Sequence, residues 1–160
     1  MSTSSTTAPN STLTPATNPS KKVVRVAAGL IIKEDSFLIA QRSGKRHLAG
    51  YWELPGGKIE AHETPAQTCQ REISEELHCQ VAVDSYFLTC TYEYEDFTLS
   101  MDVYLCHLLP GEHLECAEHS ALKFITVDEI DSFNFAPADI QFLPNIKALM
   151  QSLKRKNFSF

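Results

Sequence analysis

The stretch GGKIEAHETPAQTCQREISEELHC, residues 56–79, carries the strongest structural signal in the chain. Thr64 followed three residues later by Gln67 fits a capping box, and Pro65 fits the first position of a helix. Apolar side chains then recur at helical spacing and mark a buried face, at Ala66, Cys69, Ile73 and Leu77. The stretch therefore predicts a helix over residues 64–78.

The same helix carries three glutamates, which we expect on the face opposite its apolar side chains. Glu72 and Glu76 are one turn apart, and Glu75 lies three residues after Glu72. Like charges at this spacing are mildly unfavourable, and the second half of a helix disfavours anions. A Mg²⁺ or Mn²⁺ ion would offset that cost, because carboxylate oxygens are ligands that these ions prefer. The alternative is a solvated acidic surface on an ordinary helix.

The spacing of the acidic residues also carries a family resemblance. Gly57, five residues, Glu63, seven residues and then REISEE at 71–76 resembles the Nudix box. The segments AAGLII, FLIAQR, WELPGGKIE and FAPADIQFL are similar to the MutT-type branch of Nudix hydrolases and extend the resemblance over residues 23–149. His78 departs from the box, which has glycine there. We expect His78 to end the helix in the left-handed conformation, because histidine is enriched among non-glycine residues at positive φ.

This resemblance implies an α/β fold of the α+β kind, the Nudix α/β/α sandwich with a mixed β-sheet. Runs of β-branched and apolar residues support it and predict strands at residues 23–32, 37–42, 81–95, 97–109 and 121–127. A turn is predicted at Pro55–Gly57. A C-terminal helix is predicted from Pro137 to about Lys156, with Pro144 either breaking it or starting a second segment.

The resemblance further implies a reaction, the Mg²⁺- or Mn²⁺-dependent hydrolysis of a nucleoside triphosphate to the monophosphate and pyrophosphate. Carried over by position, the metal ligands would be the Gly56 carbonyl, Glu72, Glu75 and Glu76, with Glu63 nearby. The residues expected to carry catalysis are Glu75, Glu76, Glu118 and Arg71. Arg71 would hold the box carboxylates in place. Glu118 would act as a ligand or a general base, unless it is a plain exposed loop glutamate.

Basic residues around the box are candidates for contacts with the polyphosphate. They are Arg42, Lys45, Arg46, His47 and Lys58. We favour Arg42 and Lys58 because they align with substrate-side positions of the family, and we include His47 among the substrate-binding residues. For Lys45 and Arg46 a solvated loop is the competing interpretation.

Asp139 is the candidate for reading the base. The resemblance implies Asn at this place in 8-oxo-guanine enzymes and Asp in CTP-type relatives. An ionised aspartate only accepts hydrogen bonds, which suits the N4 amino group of cytosine without excluding guanine. The alternative role is an N-cap of the C-terminal helix. Candidates for stacking on the base, with core packing as the alternative, are Phe135, Tyr51, Trp52 and Phe87.

Composition limits the remaining function classes. The 160 residues carry a formal net charge of −6, which argues against a general binder of nucleic-acid polymers or anionic membranes. Five cysteines without a CxxC pair favour buried thiols and a reducing, cytoplasmic location. Residues 1–20 are rich in Ser, Thr and Pro and lack formal charge, which predicts a disordered tail before a domain at 21–160.

Three functional alternatives remain open at this point. The expected partner is a nucleoside triphosphate, bound by a monomer or a small homo-oligomer that cleans the nucleotide pool. A Nudix hydrolase could instead act on a nucleoside-diphosphate sugar or a dinucleoside polyphosphate. A non-catalytic Nudix domain that senses a nucleotide is disfavoured, because all four box glutamates are present.

Overall fold

The computed structural model describes residues 12–13 and 21–157 and shows an α+β fold around a mixed β-sheet. The strands are β1 (Thr12–Leu13), β2 (Lys22–Lys33), β3 (Ser36–Gln41), β4 (Trp52–Glu53), β5 (Gly56–Lys58), β6 (Val81–Glu93), β7 (Phe97–Leu108) and β8 (Ala121–Ile125). The helices are α1 (Pro65–Leu77), α2 (Pro137–Ile140) and α3 (Leu143–Asn157), with a 3₁₀ helix at Val127–Ser132. The predicted fold class is confirmed.

Strand β2 organises the sheet because it pairs with three other strands. It runs parallel to β7 and antiparallel to β3 and β5. Strands β6 and β7 form a long antiparallel hairpin, and β3 also pairs with β4 and β8. The disorder predicted for residues 1–20 lies outside the described residues, apart from β1, which pairs in parallel with β6.

The sheet separates two hydrophobic layers, because neighbouring side chains of a strand point to opposite faces. On β3, Leu38 packs in the layer that contains the apolar face of α1. Phe37 and Ile39 pack in the other layer with Phe142 and with residues of α3, among them Ile146 and Met150. In the described part of the chain, no helix combines the length and the apolar character needed to cross a membrane.

Helix α1 begins and ends as the sequence predicts. The Thr64 side chain accepts a hydrogen bond from the Gln67 backbone N–H, and the Gln67 side chain accepts one from the Thr64 N–H. His78 ends the helix at φ 49° and ψ 45°, and its N–H donates to the Ser74 carbonyl. A left-handed histidine therefore replaces the glycine of the family pattern.

Two expectations need correction or refinement. The turn predicted at Pro55–Gly57 is wrong at Gly56 and Gly57, which lie in β5 and pair with Ala28 and Ala27. The absence of a side chain allows this pairing, because a Cβ on Gly56 would lie 2.2 Å from the Ala27 carbonyl oxygen. The predicted C-terminal helix is split, since α2 ends before the separate segment α3 begins.

Candidate active site

A cavity of about 480 Å³ lies between the sheet, α1 and the loop before β8. Acidic side chains line one part of it: Glu53, Glu60, Glu72, Glu76 and Glu118. Apolar and aromatic side chains line another part: Val24, Val26, Tyr94, Phe97, Leu99 and Met101. Its basic lining residues are Arg42, Arg46, His47 and Lys58, whereas Lys45 does not line it. The cavity therefore combines charged and apolar side chains within one cleft.

Glu76 is the most unusual carboxylate of the acidic part. It is only 3% exposed, and its Oε1 atom has no hydrogen-bond partner among the described residues. Burial, followed by the negative charges of Glu72 and Glu53, raises the pKa of Glu76 to about 9. A buried carboxylate with an unpaired oxygen is costly unless a proton or a cation compensates it. The position of Glu76 therefore suits a cation ligand.

Glu72 lies against the backbone of β5 because Gly57 has no side chain. A Cβ on Gly57 would lie 2.3 Å from the Glu72 Cδ atom and 2.4 Å from its Oε2 atom. This close approach brings the Glu72 carboxylate next to the chain segment that carries the Gly56 carbonyl. Both residues line the cavity beside Glu76.

Arg71 holds the other acidic side chains of the box. Its guanidinium donates to both oxygens of Glu63, at 2.6 and 3.0 Å, and to Glu72 and Glu75, each at 3.2 Å. The Thr68 hydroxyl also donates to Glu63 at 2.6 Å. Hydrogen bonds from Arg71 and then Thr68 lower the pKa of Glu63 to about 2. Glu63 therefore anchors Arg71 and does not line the cavity.

The proposed ligands fall into two groups. Glu72, Glu76, Glu118 and Gly56 line the cavity, whereas Glu63 and Glu75 do not. The Glu75 side chain is 55% exposed and contacts Arg71. Within residues 21–157, no three His, Cys, Asp or Glu side chains form a ready ligand set for one ion. The hard oxygen donors fit Mg²⁺ or Mn²⁺, but in this arrangement Arg71 engages Glu72.

Glu118 lies in the loop that precedes β8 and is exposed. It nevertheless lines the cavity, and its charge contributes to the raised pKa of Glu76. The two interpretations of Glu118 are therefore compatible, because this exposed loop glutamate also faces the site.

Glu53 and His119 were missed by the sequence reasoning. Arg42 Nη1 donates to Glu53 Oε1 at 2.6 Å, and His119 Nε2 lies 3.0 Å from Glu53 Oε2. Burial acts to raise the pKa of Glu53, but His119 and Arg42 together lower it below its ordinary value. The Arg42 Nε atom also donates to the His47 carbonyl at 2.6 Å. Two of the five N–H donors of Arg42 are therefore used within the protein.

Asp139 lines the cavity and is 3% exposed. Its Oδ2 atom accepts a hydrogen bond from the Leu54 backbone N–H at 3.0 Å. The N-cap alternative is wrong, because Ala136 precedes α2 and Asp139 lies inside that helix. Burial, followed by the charge of Glu53, raises the pKa of Asp139 to about 8.

The aromatic lining differs from the expected one. Tyr94 and Phe97 are stacked with ring centroids 5.0 Å apart, and the His47 ring meets the edge of Tyr94 at 5.3 Å. The candidates that do not line the cavity are Tyr51, Trp52, Phe87 and Phe135. Phe135 is 4% exposed and belongs to the core, which agrees with the alternative that it packs in the core. The hairpin end between β6 and β7 supplies the aromatic side chains instead.

The NUDIX domain family matches residues 27–145, and the chain belongs to this family. A CTP pyrophosphohydrolase of Escherichia coli (strain K12) is 33% identical over 130 residues, 80% of this chain and 94% of the relative. An 8-oxo-dGTP diphosphatase of Proteus vulgaris is 38% identical over 86 residues, 53% of this chain and 77% of the relative. The solution structure of the E. coli ORF135 protein superposes with a TM-score of 0.69 at 32% identity, over 84% of this chain and 95% of that one. Within its family the chain is a hydrolase of the MutT type.

Proposed function

We propose that the protein hydrolyses a nucleoside triphosphate to the monophosphate and pyrophosphate with Mg²⁺ or Mn²⁺, and so removes unwanted nucleotides from the pool. The observation that carries this proposal is the buried Glu76 carboxyl group, whose Oε1 atom has no hydrogen-bond partner among the described residues, beside Glu72 in a cleft that Asp139 also lines. The acidic lining residues suit a metal-bound polyphosphate, and the apolar ones suit a base. The names of the relatives support the same reaction class.

The acidic residues of the cavity would hold the divalent ion. Glu72, Glu76 and the Gly56 carbonyl are the proposed ligands, with Glu118 facing them from the loop before β8. When bound, such an ion neutralises phosphate charge and activates water. Glu75 is the least supported ligand, because it contacts Arg71 outside the cavity. Glu63 supports the site through its bidentate pair with Arg71.

Basic side chains that line the cavity would orient the triphosphate. Arg46 and Lys58 are the basic lining residues that we assign to phosphate oxygens. Arg42 has a different task, because its guanidinium is bound to Glu53 and to the His47 carbonyl. Arg42 would therefore shape the loop that carries His47 and Arg46 over the substrate.

Asp139 would recognise the base, and it would form more kinds of hydrogen bond than an ionised aspartate can. With a pKa raised to about 8, its carboxyl carries a proton near neutral pH. A protonated carboxyl both donates and accepts, as the asparagine amide does. It can therefore pair with the N3 and N4 atoms of cytosine or with the N1 and O6 atoms of an oxidised guanine. The stacked Tyr94 and Phe97 rings provide an apolar surface for either base.

The deciding experiment measures kcat/KM with Mg²⁺ for CTP, dCTP, 5-methyl-dCTP, 8-oxo-dGTP and dGTP, with a UDP-sugar and a dinucleoside polyphosphate as further arms. We expect pyrophosphate release from at least one triphosphate and little turnover of the other two classes. The Glu76→Gln variant is the control for contaminating activity. Preferred cleavage of the sugar or the dinucleotide would overturn the substrate class, and no metal-dependent turnover of any nucleotide would overturn the enzymatic function.

We also propose a reducing compartment, the cytoplasm. The five cysteines are free, and four of them are buried. Cys69 and Cys106 face each other with their sulfur atoms 3.7 Å apart and act as small apolar residues beneath α1. This use of cysteine suits an environment that keeps thiols reduced.

A further inference from the structure

Two buried polar atoms beside the proposed ion site face each other, and neither has a hydrogen-bond partner among the described residues. They are His119 Nδ1 and Glu76 Oε1, which lie 3.9 Å apart. The His119 side chain is only 1% exposed, so water does not replace the missing contact freely. The separation exceeds a hydrogen bond, but a movement of about 1 Å would satisfy both atoms at once. The histidine ring is therefore placed directly behind the most buried carboxylate of the site.

The other nitrogen of the same ring is already held. His119 Nε2 lies 3.0 Å from Glu53 Oε2, and Arg42 binds the second Glu53 oxygen at 2.6 Å. The backbone is fixed as well, because the Ser120 N–H donates to the Gln41 carbonyl of β3 at 2.8 Å. A continuous chain of polar contacts thus runs from Arg42 through Glu53 and His119 to the edge of Glu76.

We propose that His119 is a positioning residue that orients Glu76 through its Nδ1 atom while Glu53 holds its Nε2 atom. A carboxylate bound from behind through one oxygen keeps its second oxygen for the cavity, whereas an unsupported one samples other rotamers. Partners of this kind orient the groups that bind metals, and their loss costs about 10- to 100-fold in metal affinity or activity. The inference rests on the proposed function in one respect, namely that Glu76 binds the ion that contacts the polyphosphate.

Two amide side chains separate the two contacts of the ring. In His119→Asn the amide nitrogen takes the place of Nδ1, so the contact with Glu76 is kept and that with Glu53 is lost. In His119→Gln the amide nitrogen takes the place of Nε2, so the Glu53 contact is kept and that with Glu76 is lost. His119→Ala removes both. His107→Asn is the matched control, because His107 also pairs with a carboxylate, Asp84 at 2.8 Å, but far outside the cavity lining.

Each variant is tested for Mn²⁺ affinity by electron paramagnetic resonance, for kcat and KM with the preferred triphosphate, and for stability in urea without metal. We expect His119→Gln and His119→Ala to weaken Mn²⁺ binding and to lower kcat about 10- to 100-fold with little change in KM. We expect His119→Asn to fall between the unchanged protein and His119→Ala, because it keeps the contact with Glu76 but loses the one with Glu53, whereas His107→Asn should match the unchanged protein. A purely structural effect would give a different order, in which Mn²⁺ affinity and kcat decline with the free energy of unfolding.

The inference is overturned if His119→Gln binds Mn²⁺ as tightly as the unchanged protein, or if His119→Asn loses as much affinity as His119→Ala. It is also overturned if Mn²⁺ affinity and kcat fall in step with stability across the three variants. If the unchanged protein binds Mn²⁺ but hydrolyses no triphosphate, the proposed function fails, while the Mn²⁺ affinities still decide the role of His119.

Discussion

Replacing Asp139 by asparagine tests the electrostatics of the base end of the cavity. The carboxyl is 3% exposed, and burial together with the nearby charge of Glu53 raises its pKa to about 8. Asparagine has nearly the same shape, and its oxygen still accepts the hydrogen bond from the Leu54 N–H, which Asp139 receives at 3.0 Å. The substitution therefore removes the titration while it keeps the packing.

The sign of the effect follows from proton binding. Between pH 4 and 8 the folded protein holds a proton on Asp139 that the unfolded chain, with an ordinary aspartate pKa, has released. The free energy of unfolding therefore falls by about 1.4 kcal/mol for each unit of rising pH because of this group. From pH 5 to pH 8 the loss is of the order of 4 kcal/mol, and Asp139→Asn abolishes it. The variant should thus gain stability relative to the unchanged protein as the pH rises.

The assay is urea unfolding at pH 5, 6, 7 and 8 with a chelator present, and the measured quantity is the difference in unfolding free energy between variant and parent. Taking the difference cancels the titration of all other groups. Asp131→Asn is the control, because Asp131 is exposed on the 3₁₀ helix and does not line the cavity. A flat difference for Asp139→Asn would refute the assignment of a protonated, buried carboxyl.

Four further predictions concern the charged and aromatic side chains of the cavity and the glycines of β5. Glu76→Gln should lower kcat by about 100-fold or more while the protein stays folded by circular dichroism, and near-normal turnover would remove Glu76 from the ligands. Gly57→Ala should lower kcat about 10-fold at nearly unchanged stability, because its Cβ displaces the mobile end of Glu72. Gly56→Ala should instead destabilise the fold by about 2 kcal/mol or more in urea, because its Cβ meets the Ala27 backbone. Tyr94→Ala should raise KM about 10-fold at similar kcat, since stacking on a base contributes about 1–3 kcal/mol, and an unchanged KM would remove Tyr94 from the base site.

Local sequence patterns made much of helix α1 predictable. The capping box at Thr64 and Gln67, the apolar spacing and the left-handed His78 each depend on neighbours within one or two turns of helix. The acidic residues of α1 were also identified, but not their burial. We expected the face of α1 that carries the glutamates to point away from the core. Glu76 instead lies where the sheet covers the helix, so this face is partly buried.

Contacts between distant segments were not predictable in the same way. Glu53 and His119 are 66 positions apart and meet only because β3 pairs with both β4 and β8. In the sequence, each of these two residues was only a charged or titratable side chain next to a candidate residue. Such side chains are too common to identify a functional residue. Tyr94 and Phe97 reach the cavity because the β6–β7 hairpin extends alongside β2. The sequence pattern predicted the hairpin, but it did not predict that the end of the hairpin contributes side chains to the cavity.

The box glutamates differ in the hydrogen-bond partners that the protein itself gives them. Arg71 supplies hydrogen bonds to Glu63, Glu72 and Glu75, and so takes over part of the neutralisation. Glu76 lies beyond its reach, with an unpaired oxygen and a raised pKa. A cation placed between Glu72 and Glu76 would compete with Arg71 for the first and stabilise the charged form of the second. The arrangement therefore favours ion binding at Glu76 most strongly, because that is where the described protein leaves a buried carboxyl oxygen without a partner.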